Sequence, residues 1–163
     1  MIRFFLSLVL MLFSLLMHGQ AKQTHTITGN VSKLVATMPI EILIDATSES
    51  NTVRLEGVQE DIDKIGIKQV GSVLYVDMST KNNKNKVFYN SRVKVFIAQP
   101  KIVDYDVSTT ARVQVKGRVQ GNQVTIKSDA AASLKGDFTA NTVTISLDSA
   151  SKYEGDITAK NIK

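Results

Sequence analysis

Residues 124–142 read VTIKSDAAASLKGDFTANT, and residues 143–161 read VTISLDSASKYEGDITAKN. At an offset of 19, Val124-Thr125-Ile126 falls on Val143-Thr144-Ile145, Asp129 on Asp148, Phe138 on Ile157 and Ala140 on Ala159. The segment before them joins the series from Tyr105, which places Val107 under Ile126, Val115 under Leu134 and Val119 under Phe138. Gly117, Gly136 and Gly155 recur at the same spacing of 19, as do Val124, Val143 and Ile162. Within each unit the pattern has period two. Val124, Ile126, Ser128, Ala130, Ala132, Leu134, Gly136, Phe138 and Ala140 are apolar or small, and the residues between them are mostly polar. Such alternation marks strands with one buried face. An odd period must break the alternation once per unit, and the breaks fall at Gly121-Asn122-Gln123 and Asn141-Thr142, read as turns because Asn tolerates left-handed backbone angles. The spacing predicts a parallel β-helix, a solenoid whose 19-residue coils stack at about 4.8 Å and place like residues on like. The glycine column marks a corner or a tight approach.

Upstream, Ile40–Ile44, Val53–Leu55, Ile65–Ile67, Val73–Val76 and Val93–Ile97 alternate or run apolar, with turn-rich clusters between them and one short helical candidate at Glu60–Lys64. No repeat is visible there. The expectation is an all-β protein in which residues 22–103 form irregular strands, a β-meander capping the solenoid of residues 104–163. An open solenoid end is a bare sheet edge, and such edges are capped, charged or paired. Lys160 and Lys163 charge the far edge, which is also a candidate for edge-to-edge self-association.

Residues 1–21 have the layout of a secretory signal peptide. Arg3 precedes the apolar run Phe4–Met17, and Gly19-Gln20-Ala21 supplies the small residues of a cleavage site. The run is too short for a span, which needs about 20 apolar residues. The expected mature chain starts at Lys22, carries no membrane span, and resides in the periplasm, on the outer membrane or at the cell surface. The whole chain has 163 residues, 20 basic and 15 acidic, with no Cys and no Trp. Without Cys there are no disulfides, thiol nucleophiles or Cys-ligated metals. The charges are interspersed and no basic, aromatic-studded face appears, so nucleic acid is not an expected partner.

The order of these segments resembles the putative auto-transporter adhesin, head GIN domain family of Bacteroidetes-type envelope proteins. The residues that carry the likeness are the Ile40–Ile44 strand, Val53-Arg54-Leu55-Glu56-Gly57, Val73-Leu74-Tyr75-Val76, Val93–Ile97 with Gln99-Pro100-Lys101-Ile102, and the coils after Tyr105. The corners depart from the family's Ser-Gly pattern and read Thr109-Thr110-Ala111, Asp129-Ala130-Ala131 and Asp148-Ser149-Ala150. The resemblance implies a β-solenoid and an adhesin-like role, and it supplies no catalytic residues.

No constellation for chemistry stands out. His18 lies in the leader, and His25 has no partner in sequence. The carboxylates Asp137/Asp156 and Asp129/Asp148 repeat at 19, so each pair should stack one strand apart. Such pairs could bind calcium through oxygen ligands, act as acid and base on a glycan, or simply cap turn amides. The last is the plainest reading, and Arg118 heads the Asp137 column as a compensating charge. Lys81–Lys86 reads as a basic hairpin loop. Phe88 and Tyr89 read as strand packing, with a carbohydrate-stacking patch as the other use. Tyr153 takes an inward position beside Val115 and Leu134, its hydroxyl reaching water. The expectation is a non-catalytic, cofactor-free envelope module that contacts a glycan or protein partner through the solenoid flank. A structural role through the open edge and a carbohydrate-active enzyme are the alternatives.

Overall fold

The computed structural model describes residues 20–78 and 92–163. Most of the expected leader, the Lys81–Lys86 run, Phe88 and Tyr89 lie outside the described residues. The chain is all-β, 63% strand and 3% helix, and its sheet curls into a nearly closed, barrel-like wall. The strands are β1 (Ala21–Thr26), β2 (Lys33–Ala36), β3 (Glu41–Asp45), β4 (Thr52–Gly57), β5 (Ile65–Val70), β6 (Val73–Met78), β7 (Lys94–Ala98), β8 (Asp104–Val107), β9 (Arg112–Ser128), β10 (Ser133–Leu147), β11 (Lys152–Glu154) and β12 (Ile157–Ile162). One turn of helix, α1 (Gln59–Ile62), follows β4. Among the described residues no helix is long and apolar enough to cross a membrane.

Period-two patterning accounts for the strands. In β3, Ile42 and Ile44 are buried while Glu41, Leu43 and Asp45 face outward. In β10, Leu134, Gly136, Phe138 and Ala140 are buried in succession. The core runs unbroken from Ile27 to Val143. At its centre the Phe138 ring meets Tyr105 edge-on, with centroids 5.4 Å apart, and Tyr153 at 6.0 Å. The buried Tyr105 hydroxyl donates to the Ile102 carbonyl at 2.8 Å, and burial pushes its pKa far up. Of the nine residues from Val124 to Ala140 expected to face inward, Ala130 alone is exposed, because it sits at the tip of a turn.

The parallel ladders carry the expected offset only in part. Val119 lies beside Phe138 and Val124 beside Val143, both at 19, and Phe138 lies beside Ile157. Earlier in the chain the offset is 21. Tyr105, not Val107, lies beside Ile126, and Val113, not Val115, beside Leu134. The cause is a bulge in β9. Gln114 pairs Lys135 and Arg118 pairs Asp137, so Val115, Lys116 and Gly117 together stand opposite Gly136. A bulge of this kind bends the strand and re-aims its side chains.

The turns also differ from expectation. β9 runs straight through Gly121-Asn122-Gln123, and β10 through Asn141-Thr142. The alternation slips there without a turn, and Asn141 donates its side-chain amide to Asn122 at 2.7 Å. The tight turns lie at the corners the family resemblance implies, at Thr109-Thr110, Ala130-Ala131 and Ser149-Ala150, where both residues have positive φ. Each corner is closed by a backbone bond across it: Ala111 to Ser108, Ala132 to Asp129 and Ser151 to Asp148. Consecutive left-handed residues with such a bond define a type I′ turn. The turns stack, with the Thr110 amide donating to the Ala130 carbonyl and the Ala131 amide to the Ser149 carbonyl.

The front half is not a meander. β2 lies parallel between β6 and β8, and β3 lies parallel between β7 and β9. The first turn of chain, β2–β3, is therefore inserted between the β6–β7 turn and the β8–β9 turn. Among the described residues antiparallel pairing is confined to β1–β4, β4–β7 and β5–β6. Non-sequential pairing leaves no repeat in the sequence, because each of these strands matches a different neighbour.

Candidate functional site

The outer surface of β4, β7, β3 and β9 is built from outward-facing residues that the ladders set side by side. Arg54, Phe96, Leu43 and Gln114 form one row across the four strands. Thr52, Ala98, Asp45 and Lys116 form the next, and Glu56, Lys94, Glu41 and Arg112 form a third of alternating charge. Cross-strand neighbours at this spacing interact. Lys94 pairs with Glu41 at 3.3 Å, Lys116 with Asp45 at 3.1 Å, and Arg54 with Glu56 at 3.1 Å. The Arg54 guanidinium also lies 4.7 Å above the centre of the Phe96 ring.

The first two rows form the floor of a cleft of about 500 Å³. The floor is apolar at Leu43, Phe96 and Ala98. The connection from β3 to β4 forms the wall. Its shape is fixed by Asp45, whose Oδ1 accepts the Thr47 amide at 3.0 Å and the Thr47 hydroxyl at 2.6 Å. These bonds, then Lys116, hold the Asp45 carboxyl below the usual range. Ser48, Ser50 and Thr52 continue the wall as a row of hydroxyls 3.2 and 3.3 Å apart. The bulge in β9 receives this wall. The Ala46 amide donates to the Lys116 carbonyl at 3.0 Å. Gly117, at φ +87°, leaves room for Thr47, whose Cγ2 would lie 2.6 Å from an added Cβ.

The residues singled out in the sequence fall elsewhere. Asp137 and Asp156 are neighbours on the last turns. The Asp137 carboxylate accepts the Asp156 amide at 3.0 Å and lies 4.0 Å from Arg118. Asp129 and Asp148 each accept the next residue's amide, Ala130 and Ser149, in their own corners. Three of the four carboxylates, Asp129, Asp137 and Asp148, thus accept a backbone amide at a corner. No group of three or more metal-ligating side chains occurs among the described residues. His25 lies on the edge strand β1 opposite Val53. Tyr153 points inward beside Leu134, as expected, but its hydroxyl donates to the Gly136 carbonyl at 2.8 Å rather than to water.

Sequence reasoning missed the cleft. Its lining comes from strands that are distant in sequence and paired out of order. A local signal did exist: Ile42-Leu43-Ile44 and Val95-Phe96-Ile97 are unbroken apolar runs, so Leu43 and Phe96 are apolar where the alternation calls for a solvated residue.

The family model described as "Putative auto-transporter adhesin, head GIN domain" matches residues 31–163. The fold is similar to the crystal structure of a "putative adhesin" from Parabacteroides distasonis, with a TM-score of 0.77, 14% identity, and coverage of 88% of this chain and 60% of that one. A "putative lipid binding protein" from the same organism gives 0.64 at 10% identity, covering 86% of this chain and 68% of the other. A "putative adhesin" from Parabacteroides merdae gives 0.61 at 12% identity, covering 88% and 75%. This chain thus spans less than two thirds of the first of these structures. No curated protein matches the sequence.

Proposed function

The chain belongs to the family described as "Putative auto-transporter adhesin, head GIN domain", and from that membership we propose that it is an exported, non-catalytic envelope module that binds a glycan or protein partner through the flank of its stacked strands. The observation that carries this reading is the matrix of outward side chains on β4, β7, β3 and β9, rigidly spaced by the ladders and indented by a preformed cleft. Concave, largely preformed sites with a few placed polar groups are where ligands bind. We read β8 to β12 as coils of a parallel β-helix, supported by the 19-residue offset of β9, β10 and β12 and by the stacked type I′ corners. Residues 1–21 act as the export signal in this reading, and the mature chain works in the periplasm, on the outer membrane or at the cell surface.

The test is protease shaving of intact cells beside a periplasmic control, followed by binding of the labelled mature chain to whole cells and to envelope extracts. Digestion with the control intact, together with saturable binding, supports the adhesin-like role. Protection until the outer membrane is broken moves the partner into the periplasm. Absence of saturable binding to either material counts against a binding module.

A second reading has one specific observation behind it. Among the described residues β11 and β12 pair only with β10, and Ile162 is 62% exposed, so this edge offers itself to strand addition by a second chain. Concentration-dependent self-association that is lost when residues 157–163 are removed would favour it. A monomer at all concentrations would remove it.

A further inference from the structure

The flank cleft has a chemistry narrower than "glycan or protein". Its floor is a flat apolar strip, Leu43 beside Phe96 with Ala98 next to it, half-buried and open on one side. Its rim carries donors and acceptors of several kinds within one small volume. Asp45 stays ionised because the Thr47 bonds and Lys116 favour its charged form, so it is a permanent acceptor. The Gln114 amide offers a donor and an acceptor and has no hydrogen-bond partner among the described residues. Ser48, Ser50 and Thr52 add hydroxyls.

Each cation of the cleft has a carboxylate within reach: Lys116 pairs with Asp45, and Arg54 lies against Glu56, whose Oε1 it shares with Lys22. A volume of about 500 Å³ suits a small molecule or one part of a polymer, as such sites run to roughly 300–1,000 Å³. One side of the floor is open, so an occupant can extend beyond it.

We propose that this cleft binds a neutral pyranose unit of a polysaccharide. This deepens the binding-module reading and rests on it. A pyranose has an apolar C–H face and a rim of hydroxyls, each both donor and acceptor. The C–H face lies on Leu43 and Ala98, beside the Phe96 ring that Arg54 covers. The hydroxyls reach the Asp45–Lys116 pair, which accepts and donates side by side, and the Gln114 amide. Arg54, already stacked on Phe96, closes one end as a planar donor. The wall needs no rearrangement, because the Thr47 bonds to Asp45 and the Gly117 bulge hold it in place without a ligand.

The test is a set of amide chemical-shift titrations of the mature chain with maltopentaose, cellopentaose and mannopentaose, and with oligogalacturonate as the acidic counterpart, each at low and high salt. The expected result is that at least one neutral pentaose shifts the amides of residues 43–54, 96–98 and 114–117, with little salt dependence, since no net charge is exchanged. Gln114→Ala, at an exposed position outside the wall, should weaken that binding by about tenfold with the fold unchanged, and Asp45→Asn by more, since bonds to charged groups are the stronger ones. Ser146→Ala, on a different part of β10, should leave it unchanged. Salt-sensitive binding of oligogalacturonate alone overturns the neutral ligand. Shifts confined to other faces overturn the cleft while leaving the binding-module reading in place. No shifts with any probe, from a chain that still binds cells saturably, overturn the sugar and point to a protein partner.

Discussion

The corner at Ala130-Ala131 offers a test of how the stacked turns are held. Both residues have positive φ, 51° and 59°, a region that costs a residue with a Cβ roughly 1–2 kcal/mol. Both are exposed, so their methyl groups contribute no core packing. Glycine removes the strain but adds backbone freedom to the unfolded chain, worth about 0.5–1 kcal/mol. The net gain is about 0.5–1 kcal/mol per site. For Ala130→Gly with Ala131→Gly it comes to about 1–2 kcal/mol, which raises Tm by roughly 2–8 °C in a chain of this size. The backbone bonds from Thr110 to Ala130 and from Ala131 to Ser149 use atoms that the substitution keeps. Thermal unfolding followed by far-UV circular dichroism measures the change. Ala111→Gly is the control. Ala111 is fully buried and follows the Thr109-Thr110 corner without positive φ, so it should lower Tm. If the double glycine variant melts at or below the parent temperature, the left-handed strain is not a cost at these corners and the reasoning fails.

Three further outcomes are expected. Phe138→Ala removes the ring between Tyr105 and Tyr153 and should cost about 3–5 kcal/mol in denaturant unfolding; a cost under about 1 kcal/mol would mean that the core collapses around the gap. Gly155→Ala should detach the last turn of chain, because its Cβ would lie 1.9 Å from the Gly136 carbonyl oxygen. Hydrogen exchange should then quicken in β11 and β12 while β2 and β3 stay protected, and unchanged protection in β11 would contradict the clash. Tyr153 should weaken the fold in alkali. Burial, helped by Asp137 and Asp156, pushes its hydroxyl up to about 12 from 10.0. Between those values the unfolded chain has released a proton that the folded chain keeps, so stability is intact below pH 10 and falls as pH rises toward 12. Tyr153→Phe should flatten part of that fall in pH-dependent denaturant melts and leave the share owed to Tyr105. An identical alkaline decline in the variant would remove Tyr153 from the account.

The sequence was most legible where partners follow one another along the chain. Val124 beside Val143 and Phe138 beside Ile157 could be read directly because β9, β10 and β12 stack in chain order. The inward positions of Leu134, Phe138 and Tyr153 followed from simple alternation. The bulge at Lys116-Gly117 was not legible, because it adds two residues without disturbing the local pattern and shifts only the match to earlier strands. The corners at Thr109-Thr110, Ala130-Ala131 and Ser149-Ala150 were reached through the family resemblance and not through local preference, since Asn and Gly point to positions 121–123 and 141–142 while the left-handed angles fall on Thr, Ala and Ser. β2 escaped notice because Lys33–Ala36 is short and carries no turn signal. The cleft was illegible because its register depends on pairing strands out of order. Leu43 and Phe96 look like ordinary strand residues until β3 and β7 are laid side by side.

The insertion of β2–β3 has a consequence for how the protein is made. Ala36 pairs with Val76 on one side and with Val107 on the other, so β2 has no lasting neighbours until much later strands follow it. The last turns of chain can be laid down one after another on a surface already present, whereas β2 and β3 must be held open and then flanked from both sides. Long-range parallel pairing of this sort is slow. The slow pairings are therefore those of β2 and β3 near the start of the chain, and not those of the repeats that dominate its sequence.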